Sequence, residues 1–192
     1  MRKLIVSMNV TLDGYMSGPD CGLDWHFACW NDEMAQEAAG QLNRADTIIL
    51  GGTTYRAMAR YWPMQGSGLL CPREDLLFAD MMNTHAKLVF SKTPHLPHWN
   101  NTRVANGNIS KEITSLKQQP GKHLMIYGSG KIVAALTQLG LVDEFQVWVH
   151  PVILGKGNLL FRDLQQSIAM KLCNTRVFSS GVVMLTYVTA QE

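Results

Sequence analysis

The stretch Leu124–Gly140, LMIYGSGKIVAALTQLG, holds a whole structural unit. Its apolar run LMIY reads as a buried strand, Gly128-Ser129-Gly130 as a small-residue turn, and the remainder as an amphipathic helix. After Lys131, residues Ile132, Val133, Leu136 and Leu139 recur at helical spacing on one inward face, and Gly140 suits the C-terminal stop. A helix start carries unpaired N–H groups and a partial positive charge, and glycines let an anionic group come close to the backbone. The turn therefore fits a pyrophosphate. It equally fits a tight turn that packs a helix on a sheet, and this stretch alone does not separate the two readings.

A second turn has the same construction. In IILGGTTYRAM, the strand Thr47–Leu50 runs into Gly51-Gly52, and Thr53 and Thr54 are placed to cap a helix carrying Tyr55, Arg56 and Met58. Two such turns in one sheet could hold the two ends of a dinucleotide. In VFSKT, Ser91 and Lys92 put a hydroxyl and a cation at a third strand end, where they suit a phosphate. Neither standard nucleotide motif is present. Val133 stands where a G-x-G-x-x-G fingerprint needs its last glycine, and for a P-loop Met125 and Ile132 replace the first glycine and the Ser or Thr.

Further strands are expected in KLIVSMN, KLVFS and EFQVWVH, and a helix over NDEMAQEAAGQLNRAD, with Asn31 as its cap and Asp32 and Glu33 at its positive end. Near the C-terminus, two β-rich runs around Ser180-Gly181 have the pattern of a hairpin. The expected fold class is α/β, a mixed, mostly parallel sheet flanked by helices and closed by that hairpin. The segment Tyr61–Asp75, with Pro63, Gly66, Gly68 and Pro72, reads as a surface loop over a site.

At 192 residues the chain is read as one domain, residues 1–192, able to bury about two thirds of its unfolded surface. The net charge of +2 and the absence of a Lys/Arg run argue against nucleic acid. No stretch has the roughly 18 apolar residues of a membrane span, and the apolar start breaks at Ser7 and Asn9, so a cytoplasmic location is expected. Cys21, Cys29, Cys71 and Cys173 lack a C-x-x-C pair and read as reduced. His95 and His98 lie between prolines, too few ligands for a metal, so no metal is expected.

Taken in order, SMNVTLDGYMSGPDCGLDW, LGGTTYRAMARYWP, LVFSKT, IYGSGKIVAAL and LVDEFQVWVHPVILGKGNLLF resemble segments of the dihydrofolate-reductase-like family, which includes the reductase domain of bacterial riboflavin biosynthesis deaminase-reductases. The resemblance runs from Leu4 to about Phe161. It implies a three-layer fold with NADPH across the strand ends, and NADH or a flavin as the alternatives. The implied reaction is hydride transfer to a small heterocycle, akin to 5-amino-6-(5-phosphoribosylamino)uracil reductase and dihydrofolate reductase. On this resemblance Gly51, Gly52, Thr53 and Thr54 hold the adenosine side, Ser91 and Lys92 the 2′-phosphate, and Tyr127, Gly128, Ser129, Gly130, Lys131 and Ile132 the pyrophosphate side. Ser7, Met16 and Gly18 would also touch cofactor, while Met8, Asn9, Gly14, Trp25, Tyr55 and Trp62 would line the substrate cleft.

Two departures stand out. Gly52 replaces an arginine that many relatives carry, which removes a bidentate partner for the 2′-phosphate. Trp30 stands where dihydrofolate reductases place a carboxylate, which argues against folate. Asp13, Asp24 and Glu33 are the candidate proton donors, of which one raised by burial would suit neutral pH. A second reading keeps the cleft as a non-catalytic nucleotide- or flavin-binding sensor. A third treats Trp25, Trp30, Trp62 and the methionines as an interaction surface. Relatives of this type commonly pair, and EFQVWVHPVIL, with Trp148 taken as exposed, is the expected homodimer contact.

Overall fold

The structure, a computed structural model, describes residues 1–65, 73–93, 95–162 and 164–190. Its main sheet has eight strands in the order β5-β4-β3-β6-β1-β7-β10-β9. These are β1 (Leu4–Thr11), β3 (Ala45–Gly51), β4 (Ala86–Phe90), β5 (Thr102–Val104), β6 (His123–Ile126), β7 (Glu144–His150), β9 (Met170–Val177) and β10 (Val183–Thr189). Pairing is parallel from β5 through β7, and β10 runs antiparallel to both β7 and β9. A second, two-stranded sheet joins β2 (Tyr15–Ser17) to β8 (Asn158–Leu159).

Burial explains why the central strands are apolar on both faces. From β1, Leu4, Val6, Met8 and Val10 pack with Ile113, Val133 and Leu136 of α5 (Ile109–Gln118) and α6 (Gly130–Gln138). On the opposite face Ile5, Ile48, Leu50 and Met125 meet Leu42 of α2 (Asp32–Asn43), Tyr55 of α3 (Gly52–Gln65) and Met82 of α4 (Arg73–Thr84). The result is three layers, helices on both sides of a mixed sheet. No helix among the described residues is long and apolar enough to cross a membrane.

Local signals end the helices where their chemistry predicts. Asn31 accepts the Met34 N–H at 3.0 Å and caps α2. Gly140, at φ +63°, follows α6 and donates to the Thr137 carbonyl while Leu141 donates to Leu136, a Schellman stop. Leu139, expected to face inward, is the C-cap residue and is exposed.

Several expectations need correction. Tyr61–Gln65 is not a loop: α3 continues through it, carrying Pro63 near its end, and Arg73 already opens α4. Residues 66–72, with Gly66, Gly68, Cys71 and Pro72, lie outside the described residues. Trp148 is not exposed. It stacks on Phe178 with ring centroids 5.1 Å apart and donates to the Ser7 hydroxyl, so it offers no surface to a twin. Its strand β7 is internal, paired on both edges by β1 and β10.

The Asn31 amide also donates to Ser179 Oγ at 3.0 Å, which ties α2 to the turn between β9 and β10. Asn31→Ala is expected to lower stability by about 1–2 kcal/mol, read as a lower denaturant midpoint at unchanged slope.

Candidate functional site

The small-residue turns converge at the C-terminal ends of the parallel strands, where α/β sheets place their ligands. The Gly51 N–H donates to the Gly128 carbonyl at 2.9 Å, so the turn after β3 lies against the turn after β6. A Cβ on Gly51 would collide with the Ser129 hydroxyl and lie 3.0 Å from its backbone nitrogen. One on Gly52 would lie 2.6 Å from Ser91 Oγ, one on Gly128 3.0 Å from Thr54 Oγ1, and one on Gly130 2.8 Å from Met16 Sδ. These contacts line up Ser91, Gly52, Gly51, Ser129, Gly130 and Met16 in one continuous row from β4 to β2.

Two helices start in that row. The Ser129 side chain makes no cap bond and the residue's carbonyl accepts the Ile132 and Val133 N–H groups, so the groups this serine leaves uncapped at the start of α6 are the N–H groups of Gly130 and Lys131. Thr53 and Thr54 are not N-caps as expected, because α3 already begins at Gly52. Thr53 is exposed within its first turn, and Thr54 is half-buried against Gly128. Lys92 and Lys131 are exposed at either end of the row, and Ile132 packs beside Gly51. Gly52 is explained by this packing: the space a side chain would need is taken by Ser91.

Other expected residues are elsewhere or otherwise engaged. Ser7 is buried, donating to Gln41 Oε1 and accepting from Trp148 Nε1, both at 3.1 Å, so its hydroxyl is spent on the protein rather than a cofactor. The Tyr55 hydroxyl donates to the Pro97 carbonyl at 2.8 Å and its ring packs on Trp99, a core anchor that lines a cavity with these two residues. Trp62 packs between Tyr61 and Phe78 in the same core. The ring of Tyr127 packs on Phe78, and its buried hydroxyl has no hydrogen-bond partner among the described residues. Met8 does lie beneath Gly128, with Cε 3.8 Å from where a Cβ would be. Met16 belongs to β2, and the Gly18 N–H donates to the Gly22 carbonyl in the turn that follows. Gly14, at φ +83°, turns the chain from β1 into β2.

The candidate acids are corrected most sharply. Asp13 accepts hydrogen bonds from Thr11 Oγ1, Gly155 N–H and Leu154 N–H, joining the turn after β1 to the loop after β7. The Thr11 bond first, and then the backbone donors, hold its carboxyl below the usual value. Glu33 accepts from the Ser179 N–H at 3.0 Å, which lowers it in the same way. Both are thus ionised anchors and not carboxyls raised by burial. Asp24 is exposed at the start of a one-turn helix, α1 (Asp24–Phe27).

A histidine pair that sequence reasoning missed occupies the neighbouring position. His150 ends β7, fully buried, with Nε2 2.9 Å from Asn9 Oδ1 and 3.5 Å from Nδ1 of His26 on α1. Trp25 meets the His150 ring edge-on at 5.0 Å. Burial pushes His26 down to about 4, and burial with the adjacent His26 does the same for His150.

Comparison with known proteins follows the geometry. The RibD C-terminal domain profile matches residues 2–184. The chain belongs to the RibD C-terminal domain family. It is 36% identical over 186 residues to the uncharacterized protein YyaP of Bacillus subtilis (strain 168), covering 97% of this chain and 94% of that one. In three dimensions it is similar to a putative riboflavin biosynthesis protein from Shewanella sp. PV-4, with a TM-score of 0.74, 19% identity and coverage of 98% and 99%. It is also similar to dihydrofolate reductase from Enterococcus faecalis, with a TM-score of 0.63, 13% identity and coverage of 98% and 97%. The fold of this RibD C-terminal domain is dihydrofolate-reductase-like.

The histidine pair gives this family member a defined acid response. Unfolded imidazoles take up protons below about 6.5, whereas these two do so only near 4. Between those values the unfolded chain binds more protons, so stability must fall as pH drops. Denaturant midpoints are expected to decrease from about pH 6.5 to about pH 4, with a shallower decrease in His150→Gln.

Proposed function

We propose that this chain is an NADPH-dependent reductase that transfers a hydride to a small heterocycle, with residues 1–192 acting as one domain. The observation that carries this reading is the close packing of the two glycine turns, which sets the starts of α3 and α6 side by side at the C-terminal ends of the parallel strands. When bound, NADPH supplies the hydride. The chain's own residues supply placement. The start of α6 at Gly130, with Lys131 beside it, suits a pyrophosphate. The start of α3 at Gly51, Gly52, Thr53 and Thr54 suits the adenosine side, and the Ser91 hydroxyl offers a hydrogen bond and the exposed Lys92 ammonium a charge to a 2′-phosphate in place of the missing arginine. Met8 and Asn9 then form the floor between cofactor and substrate. Asp24 is the remaining carboxyl candidate for proton delivery. The reading implies a cytoplasmic enzyme related to 5-amino-6-(5-phosphoribosylamino)uracil reductase and dihydrofolate reductase.

Titration with NADPH and with NADH, followed by tryptophan fluorescence quenching, tests it. Saturable binding with NADPH preferred is expected, and Lys92→Ala is expected to narrow that preference by about tenfold, the value of one charge-assisted contact. Failure of both dinucleotides to bind removes the reductase reading, and a flavin- or nucleotide-binding sensor takes its place.

A homodimer is part of the same proposal, with its contact moved from β7 to the sheet edge. Every residue of β9 is exposed, including Leu172 and Val177. Light scattering at micromolar concentration is expected to give twice the 21.4 kDa chain mass, and a monomer mass refutes pairing.

A further inference from the structure

A cavity of about 460 Å³ lies between α2 and the outer strands of the sheet, a size that suits a small ligand. Glu37, Arg44, His123, Glu144, Gln146 and Arg176 are in its lining. His123 opens β6 and Glu144 opens β7, on either side of β1, while Arg44 ends α2 and its carbonyl accepts the His123 N–H at 3.1 Å. The cavity is thus at the N-terminal ends of the parallel strands, opposite the glycine row.

Some of its charged groups are already engaged and others are not. Both oxygens of Glu37 are taken, one by the Gln41 amide and one by the Arg176 guanidinium. Glu144 keeps capacity: its Oε1 accepts from Gln146 Nε2 at 2.7 Å, but its Oε2 is 3.6 Å from Lys3 Nζ, too far for a hydrogen bond. A carboxylate only accepts, so Gln146 must turn its amide nitrogen to Glu144 and its oxygen away. That oxygen, on a residue only 4% exposed, is buried without a partner among the described residues. Such a group is costly unless a ligand or water completes it.

The free donors are on the other side of the same cavity. His123 Nδ1 accepts the Lys3 N–H at 3.3 Å, so in the neutral ring the hydrogen is on Nε2. The exposed Arg44 guanidinium has no ion pair or hydrogen bond among the described residues. Donors therefore stand beside β6 and acceptors on β7, with β1 between them. Two strand spacings separate the sets, roughly 10 Å between backbones.

We propose that this cavity binds a small zwitterion whose two charges stand several ångströms apart, its carboxylate at Arg44 and His123 and its ammonium at Glu144 and Gln146. A plain anion would leave Glu144 and the Gln146 oxygen unanswered, and a plain cation would leave Arg44 so. An α-amino acid carries both charges on one carbon, too close together to reach both strands. The site is remote from the glycine turns and does not rest on the reductase reading.

The probe is 6-aminohexanoate, compared with hexanoate and hexylamine, which keep the chain and one charge each, and with glycine, which keeps both charges but not their spacing. On the nitrogen-15-labelled native chain, the side-chain amide resonances that are missing from Gln146→Met are expected to shift saturably with 6-aminohexanoate. Each of the three comparators is expected to bind at least about tenfold more weakly, the worth of one hydrogen bond to a charged group. Arg44→Gln is expected to bring 6-aminohexanoate to the affinity of hexylamine and to leave hexylamine itself unchanged, a pattern that a loss of folding does not give. No saturable shift, or binding of any comparator as tight as that of 6-aminohexanoate, overturns the site and leaves an ordered water as the partner of Gln146. This comparison on the native chain needs no variant.

Discussion

One backbone hydrogen bond, from the Gly51 N–H to the Gly128 carbonyl, holds the candidate site together. The ladder between β3 and β6 ends at the pair Ile49 and Ile126, and this bond carries the association past the ladder into the turns. Two helices, α3 and α6, thereby start side by side. Such closeness is possible only where there are no side chains, which is why Gly51 meets Ser129 and Gly52 meets Ser91 with no room for a Cβ. The position of Met16 on Gly130 extends the same constraint to the small sheet of β2 and β8.

Much of this was legible in the amino acids. The central strands are buried on both faces, so they read as unbroken apolar runs, and the turns show themselves by glycine followed by helical spacing. Asn31 and Gly140 mark helix ends through chemistry that acts over three or four residues, a range that sequence displays directly. What did not show was burial of side chains with a polar end. Ser7, Tyr55 and Trp148 each carry a group that could face a ligand, and each spends it on a partner far along the chain. Trp148 is the clearest case, because β-strand alternation says which side a residue faces but not whether a hairpin such as β9–β10 covers that side.

The carboxylates and histidines show the same limit in opposite directions. Asp13 and Glu33 look like free acids because backbone N–H groups, which no sequence records as distinct, are what capture them. His26 and His150 look like two unrelated residues because they are 124 positions apart. Their nearest local clue is His150 closing a strand of otherwise alternating burial, directly beside Thr11 in register and next to Asn9. The histidines that short spacing does display are His95 and His98, which read as too few ligands for a metal.

The strand order also dictates when these parts can meet. β6 lies between β3 and β1, yet it is made long after both. Until it arrives, β3 can pair with β4 and β4 with β5, but β1 has neither of its parallel neighbours. The sheet therefore closes through contacts of high sequence separation, the kind that slow folding and leave open strand edges in partly folded chains. The glycine row is a product of that insertion. A chain cut short of β6 would keep the first glycine turn and lose its mate, so during synthesis the two turns can meet only once β6 is made, before β7 and the β9–β10 hairpin supply the rest of the core.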